Sequence, residues 1–167
     1  MSVEQVRVYL DRWNRGRDVA EMAISTATVE LAASALNVIP ARIAKSISLR
    51  KDGGGAMMIV TSGDMKIDNR KFRDHFRFKA RMLNPEEVLE HTGHTIGGVC
   101  PFALPPELEV YLDSSMKRFR TIFPACGSGS SLIELTPAEL EEYSQSRGWL
   151  DVCVPIIENS SLTNCNN

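Results

Sequence analysis

The segment from Lys45 to Gly63, KSISLRKDGGGAMMIVTSG, constrains the fold more than any other part of the chain. KSISLR alternates like a half-buried strand, and AMMIVTSG reads as a second strand. Gly53 to Gly55 between them supply a flexible reversal, so the pair is expected to form a hairpin.

Around the hairpin the chain alternates between helix and strand signals. Val3, Val6, Tyr9 and Leu10 recur at helical spacing, and Asn14 to Gly16 provide a stop. Thr26 or Thr28 can cap a helix whose apolar face is Val29, Ala32, Ala33 and Leu36, and Pro40 blocks its continuation. Asp68 can cap a helix through the following basic stretch. Asn84-Pro85-Glu86-Glu87 and Thr136-Pro137 each open a helix with a proline and acids at the positive dipole end, and these are expected to end near Gly93 and Gly148. ELEVYLD, RTIFPAC, SSLIELT and WLDVCV are the remaining strand candidates. Strands and helices do not alternate strictly, which disfavours a doubly wound parallel sheet. The expected fold is α+β: one compact domain over residues 1–154, with a mixed, largely antiparallel central sheet flanked by helices, and a polar tail over 155–167.

With 167 residues the chain can bury a sizeable core without staples. No window approaches the roughly 18 apolar residues of a membrane span. The charged N-terminus MSVEQVRVYLDRWNRGRD lacks a signal-peptide pattern, so the expected location is the cytoplasm, with no membrane contact. Cys100, Cys126, Cys153 and Cys165 match no metal-binding spacing and are expected to be thiols. The net charge of −2 hides a segregation: seven basic residues lie between Lys66 and Arg81, whereas acids dominate from Glu134 to Glu158. Such a chain can hold a polyanion on one face, although solvated helix faces give the same pattern.

Residues 91–101, HTGHTIGGVCP, leave three chemistries open. His91, His94 and Cys100 make an incomplete zinc ligand set. Cys100 as a nucleophile lacks a visible thiolate-stabilising partner, since it precedes no helix start. Gly97, Gly98 and Pro101 can bend the backbone sharply and present its polar groups to a ligand. Lys45 is a lone cation at the start of a half-buried strand, either a snorkelling edge lysine or a phosphate ligand.

The strings TVELAASALNVIPARIAKSISL, MMIVTSGDMKID, TGHTIGGVCPF, VYLD and PACGSGSSLIELTPAEL, in that order, resemble the YbaK/EbsC family. Its members are free-standing relatives of the editing domain inserted into many bacterial prolyl-tRNA synthetases. The resemblance implies a trans-editing hydrolase that deacylates a mischarged aminoacyl-tRNA, with no cofactor and no metal. A tRNA for proline or a related one is the implied substrate, and a transient contact with a prolyl-tRNA synthetase is implied beside it. It assigns Lys45 to the tRNA 3′ end, the backbone of Gly97 and Gly98 to the water and ester, and Pro101, Cys100, Gly127 and Ser128 to the walls of the site. Leu132 stands where some relatives that act on cysteinyl-tRNA carry an acid. The alternative from another class is a tRNA- or nucleotide-binding regulatory module without turnover.

Arg42, Lys66, Arg70, Lys71 and Arg73 are the expected contacts to the tRNA backbone, with Arg50 and Lys51 beside them. Binding to tRNA should therefore weaken with salt, with a log–log slope of about −0.7 per single-strand phosphate contacted. Filter binding across a salt series measures it, and an affinity indifferent to salt would contradict a polyanion ligand.

Overall fold

The computed structural model describes residues 1–157. Its helices are α1 (Val3–Leu10), α2 (Val29–Leu36), α3 (Asn69–Phe76), α4 (Pro85–Thr92) and α5 (Pro137–Tyr143). Its strands are β1 (Ala20–Glu21), β2 (Ile43–Arg50), β3 (Ala56–Ser62), β4 (Met65–Ile67), β5 (Glu109–Asp113), β6 (Phe123–Pro124), β7 (Ser131–Leu132), β8 (Trp149–Leu150) and β9 (Cys153–Pro155). The expected hairpin is β2–β3, paired antiparallel from Ala44↔Ser62 to Arg50↔Ala56. It sits inside a five-stranded sheet of order β6-β2-β3-β5-β8.

Every residue of β3 is buried, because the sheet is covered on both faces. Met58 and Val60 face a core shared with α1 (Val6, Leu10), α4 (Val88) and α5 (Leu140, Tyr143). Met57 and Ile59 face a second core with Phe72 of α3 and Val152. A strand buried on both sides reads as an apolar run rather than an alternation, which is how AMMIV appears in the sequence. A third cluster packs Ala32 and Ala33 of α2 against Ile43, Phe123 and Leu132 at one end of the sheet.

The helix starts follow their caps. Thr28, rather than Thr26, caps α2 by accepting from the Leu31 N–H (3.2 Å), and Asp68 accepts from Lys71 N–H (2.8 Å). Asn84 with Glu87, and Thr136 with Glu139, form reciprocal capping boxes. Among the described residues no helix is long and apolar enough to cross a membrane.

Several expectations need correction. The central sheet is mixed, but β2–β6, β3–β5 and β5–β8 are parallel, and only β2–β3 is antiparallel. The long connection from β3 to β5 carries α3 and α4, and such a crossover returns a strand in parallel. RTIFPAC and SSLIELT contract to the two-residue strands β6 and β7. WLDVCV divides into β8 and β9, which belong to different sheets. α5 ends at Tyr143, five residues before Gly148. Pairing also passes the expected boundary at 154, since Pro155 opposes Met65 and the Ile156 N–H donates to the Asp64 carbonyl (2.8 Å). The polar tail from 158 onward, with Cys165, lies outside the described residues.

Gly63 ends β3 where it meets the turn after α2. A Cβ there would run into the Pro40 carbonyl oxygen and stand 2.7 Å from Val29 Cγ1. Gly63→Ala should destabilise the chain by about 1–3 kcal/mol through overpacking. A lower denaturation midpoint in urea, with an unchanged slope, is the expected reading.

Candidate active site

The site lies where the pairing of β2 is interrupted. On the edge of β2 facing away from β3, Ile43 and Ala44 pair with β6, and Leu49 bridges Met82. Ser48 and Arg50 complete the second contact: the Leu83 N–H donates to the Ser48 carbonyl (3.0 Å), and the Arg50 N–H donates to the Arg81 carbonyl (2.8 Å). Main-chain groups alternate sides along a strand, so Ser46 turns its N–H and C=O to the same edge, in the gap between the two pairings.

A cleft of about 210 Å3 opens beside this gap, lined by Thr26, Ala27, Thr28, Val29, Ile43, Ala44, Lys45, Ser46, Ile96, Gly97, Val99, Ala125 and Leu132. Lys45 is half-buried, and its ammonium has no ion-pair or hydrogen-bond partner among the described residues. Burial pushes its pKa down, with Cys153, Glu30 and Asp64 opposing. Thr26 Oγ1 and Ser46 Oγ are buried without a hydrogen-bond partner. Among the described residues no carboxylate or imidazole lines the cleft. Its polar side-chain groups are the unmet hydroxyls of Thr26 and Ser46, the capping hydroxyl of Thr28 and the Lys45 cation, set in a wall of Val29, Ile43, Val99, Ala125 and Leu132.

Two loops of small residues build the far side. The Gly98 N–H donates to the Thr95 carbonyl (3.0 Å), closing a turn in which Gly97 has φ +93°. A positive φ at the third residue of a turn is the type II geometry that favours glycine. Gly98 presses on the second loop: a Cβ would sit 2.8 Å from the Gly127 carbonyl carbon and from Ser128 N and Cα. That second loop is stitched to the segment before α2, with the Thr26 N–H donating to the Gly129 carbonyl (2.7 Å) and the Met22 N–H to the Ser130 carbonyl (2.7 Å).

The structure therefore brings together Lys45 and Gly97, and separates other expected site residues from them. Gly98 is a spacer whose N–H is already engaged within its own turn. Gly127 and Ser128 stand behind Gly98 instead of forming the opposite wall, which Ala125 and Leu132 supply. Pro101 and Cys100 are buried away from the cleft. The Cys100 thiol is pushed up to about 12 by complete burial, the reverse of what a nucleophile needs. His94 Nε2 lies 3.0 Å from the Phe102 carbonyl, which can only accept, so Nε2 carries the proton; burial holds the ring neutral. Among the described residues no three His, Cys, Asp or Glu side chains converge as a metal site.

The basic residues divide similarly. Lys66, Arg70 and Arg73 are exposed. Lys71 is tied to Asp151 (2.9 Å) and the Cys153 carbonyl (3.2 Å). Arg42 is held by Thr121 and Glu134 and lies 5.0 Å from the centre of the Phe123 ring. Arg50 and Lys51 pair with Glu87 and Glu109, each at 2.8 Å. Thr26 and Ser46 are the cleft groups that sequence reasoning missed. Thr26 drew attention only as a cap, and Ser46 is one more small residue in an alternating strand.

A family model described as the aminoacyl-tRNA editing domain matches residues 24–143, which include every element of the cleft. The chain belongs to the aminoacyl-tRNA editing domain family. Among relatives of this editing domain is the uncharacterized protein YwhH of Bacillus subtilis (strain 168), 59% identical over 153 residues that cover 92% of this chain and 98% of that protein. A proline–tRNA ligase of Thermotoga maritima is 32% identical over 78 residues, 46% of this chain and 13% of the ligase. A solved structure described, provisionally, as a trans-editing enzyme for prolyl tRNA synthetase superposes with a TM-score of 0.81 at 30% identity, over 90% of this chain and 95% of that one.

The contact of Gly98 with the second loop sets the width of this editing-domain cleft. Gly98→Ala should cost about 1–3 kcal/mol by forcing the two loops apart. The expected sign is a thermal midpoint lower by roughly 5 °C in a melting scan.

Proposed function

We propose that the chain hydrolyses the ester of a mischarged aminoacyl-tRNA in trans, releasing the amino acid and the uncharged tRNA. The observation that carries this reading is the partnerless, half-buried Lys45 ammonium at a small cleft that offers hydroxyls and a glycine turn but no side-chain base. An ester needs orientation more than a strong base, because its carbonyl is already reactive and ribose oxygen is a fair leaving group.

In this mechanism Lys45 holds a phosphate or ribose oxygen at the 3′ end and fixes the ester across the Gly97 turn. Thr26 Oγ1 and Ser46 Oγ, each with a free donor and free lone pairs, hold the attacking water or the substrate amino group. Water adds to the carbonyl carbon, and main-chain N–H groups at the Ser46 gap and the Gly97 turn stabilise the oxyanion. The C–O bond to ribose then breaks, and the proton of the water leaves with the ribose oxygen.

The apolar wall and the volume of about 210 Å3 suit a small uncharged side chain. A second hydrolytic site of this kind supplies discrimination that a synthetase pocket lacks, since one methylene is worth only about 1–3 kcal/mol. The relatives named for proline–tRNA ligase and its trans-editing partner support a tRNA for proline as substrate, met in the cytoplasm, with a transient synthetase contact. The exposure of Lys66, Arg70 and Arg73 supports contact with the tRNA backbone.

The test is a deacylation panel of mischarged tRNAs. Lys45→Ala should keep its melting curve and lose turnover on every tRNA that the wild type deacylates. Lys45→Arg should fall well short of wild type, because a planar fork does not replace a compact ammonium. Turnover retained in a folded Lys45→Ala protein would overturn the site, and tRNA binding without turnover by the wild type would favour the regulatory module.

A further inference from the structure

Lys45 borders a second hollow. A groove of about 520 Å3 shares Lys45 with the cleft and is lined by Lys45, Ile47, Leu49, Lys66, Ile67, Asn69, Ala80 and Met82. Its floor is the face of β2 that carries Lys45, Ile47 and Leu49 at period two, a length of about 13 Å at 3.3 Å per residue. One side is β4 and the first residue of α3. The other is the 80–82 segment, where Met82 is the bridge partner of Leu49 and so projects on the same face. Leu49 is fully buried, but Met82 is 68% exposed, leaving an aliphatic rim that no other described residue covers.

The charged side chains that line this groove have one sign, although Asp68 lies between Ile67 and Asn69 and Asp74 stands 4.0 Å from Arg70. Two lysines and no carboxylate are among its lining residues. Arg70, next to Asn69, and Arg81, between Ala80 and Met82, are both exposed. An aliphatic floor with a cationic border suits a single nucleic-acid strand, whose unstacked bases can cover apolar surface while the phosphates follow the cations. Single-stranded ends are also where proteins reach unstacked RNA bases. The carboxamide of Asn69 adds one donor and one acceptor for a base edge.

We propose that this groove holds the unpaired 3′-terminal bases of the tRNA, while the neighbouring cleft holds the aminoacyl ester and Lys45 grips the backbone between them. At a stacking repeat of about 3.4 Å the floor accommodates more than one base. The assignment rests on the deacylase reading for what the cleft holds, but the groove itself can be examined without hydrolysis.

The experiment compares wild type with Met82→Glu, which places a carboxylate on the exposed rim and leaves the buried floor intact; matching melting curves confirm folding. Fluorescence anisotropy with a labelled, uncharged single-stranded RNA of the tRNA 3′-terminal sequence should give about tenfold weaker binding for Met82→Glu, the order expected when a carboxylate is set a few ångströms from a phosphate. Met82→Leu should bind like wild type. On an aminoacyl minihelix, kcat/KM should fall by a similar factor in Met82→Glu, whereas hydrolysis of the same aminoacyl group on adenosine alone should be unchanged. If the wild type hydrolyses neither substrate, the deacylase reading fails and the anisotropy result still decides the groove. Unchanged RNA affinity in Met82→Glu would overturn the proposal and leave the groove to a protein partner. Equal losses on minihelix and aminoacyl-adenosine would also overturn it, since the variant would then be disturbing the cleft.

Discussion

A strand buried on both faces can satisfy its peptide groups only through its two neighbours, and β3 is such a strand. Its ladders to β2 and β5 are therefore the constraint on which the molecule depends. β2 inherits the opposite problem, because one edge is fully occupied by β3 while the other has only partial partners. β6 is two residues long and the 81–83 segment touches β2 at its far end. What remains between them, around Ser46, is polar main chain with no strand to take it, and it lies against the cleft. Binding chemistry here begins where sheet pairing stops.

The architecture of the cleft is one of close approach. Gly98 lets one loop rest on another, Gly97 lets the first loop turn, and Ala27 stands near enough that a Cβ on Gly97 would lie 3.2 Å from its own Cβ. A larger residue at Gly98 would force the two loops apart, whereas one at Gly97 or Ala27 would crowd the cleft. The side chains that remain are hydroxyls and one cation, which can hold and orient but are poor proton acceptors at neutral pH. Rate enhancement from such a set has to come from geometry and fixed dipoles.

Local signals were legible where they act locally. The hairpin, the caps at Thr28, Asp68, Asn84 and Thr136, and the unusual position of Lys45 could all be read from the chain. Strand direction could not, because β2–β6, β3–β5 and β5–β8 join segments far apart in sequence. The same distance hid the partners of Arg42 and Lys71, so both looked available for RNA when Thr121, Glu134 and Asp151 already hold them. Cys100 was placed among the site walls by its neighbours in sequence, yet the turn at Gly97 directs the following residues into the core. Thr26 and Ser46 carry no distinguishing pattern, and only their unmet hydroxyls in the folded chain set them apart.

The two sheet faces differ electrically as well as in packing. α3, with its exposed arginines, covers the face that carries Lys45, whereas α5, with Glu141 and Glu142 exposed, covers the other. A nearly neutral molecule thus carries the exposed arginines of α3 on the face that holds Lys45. An approaching polyanion feels a torque before it feels a contact, so collisions are biased toward the face that can use them. For an RNA ligand of the proposed kind, a weak overall charge would limit how long the molecule lingers elsewhere, and the charge asymmetry would raise the fraction of encounters that begin correctly oriented.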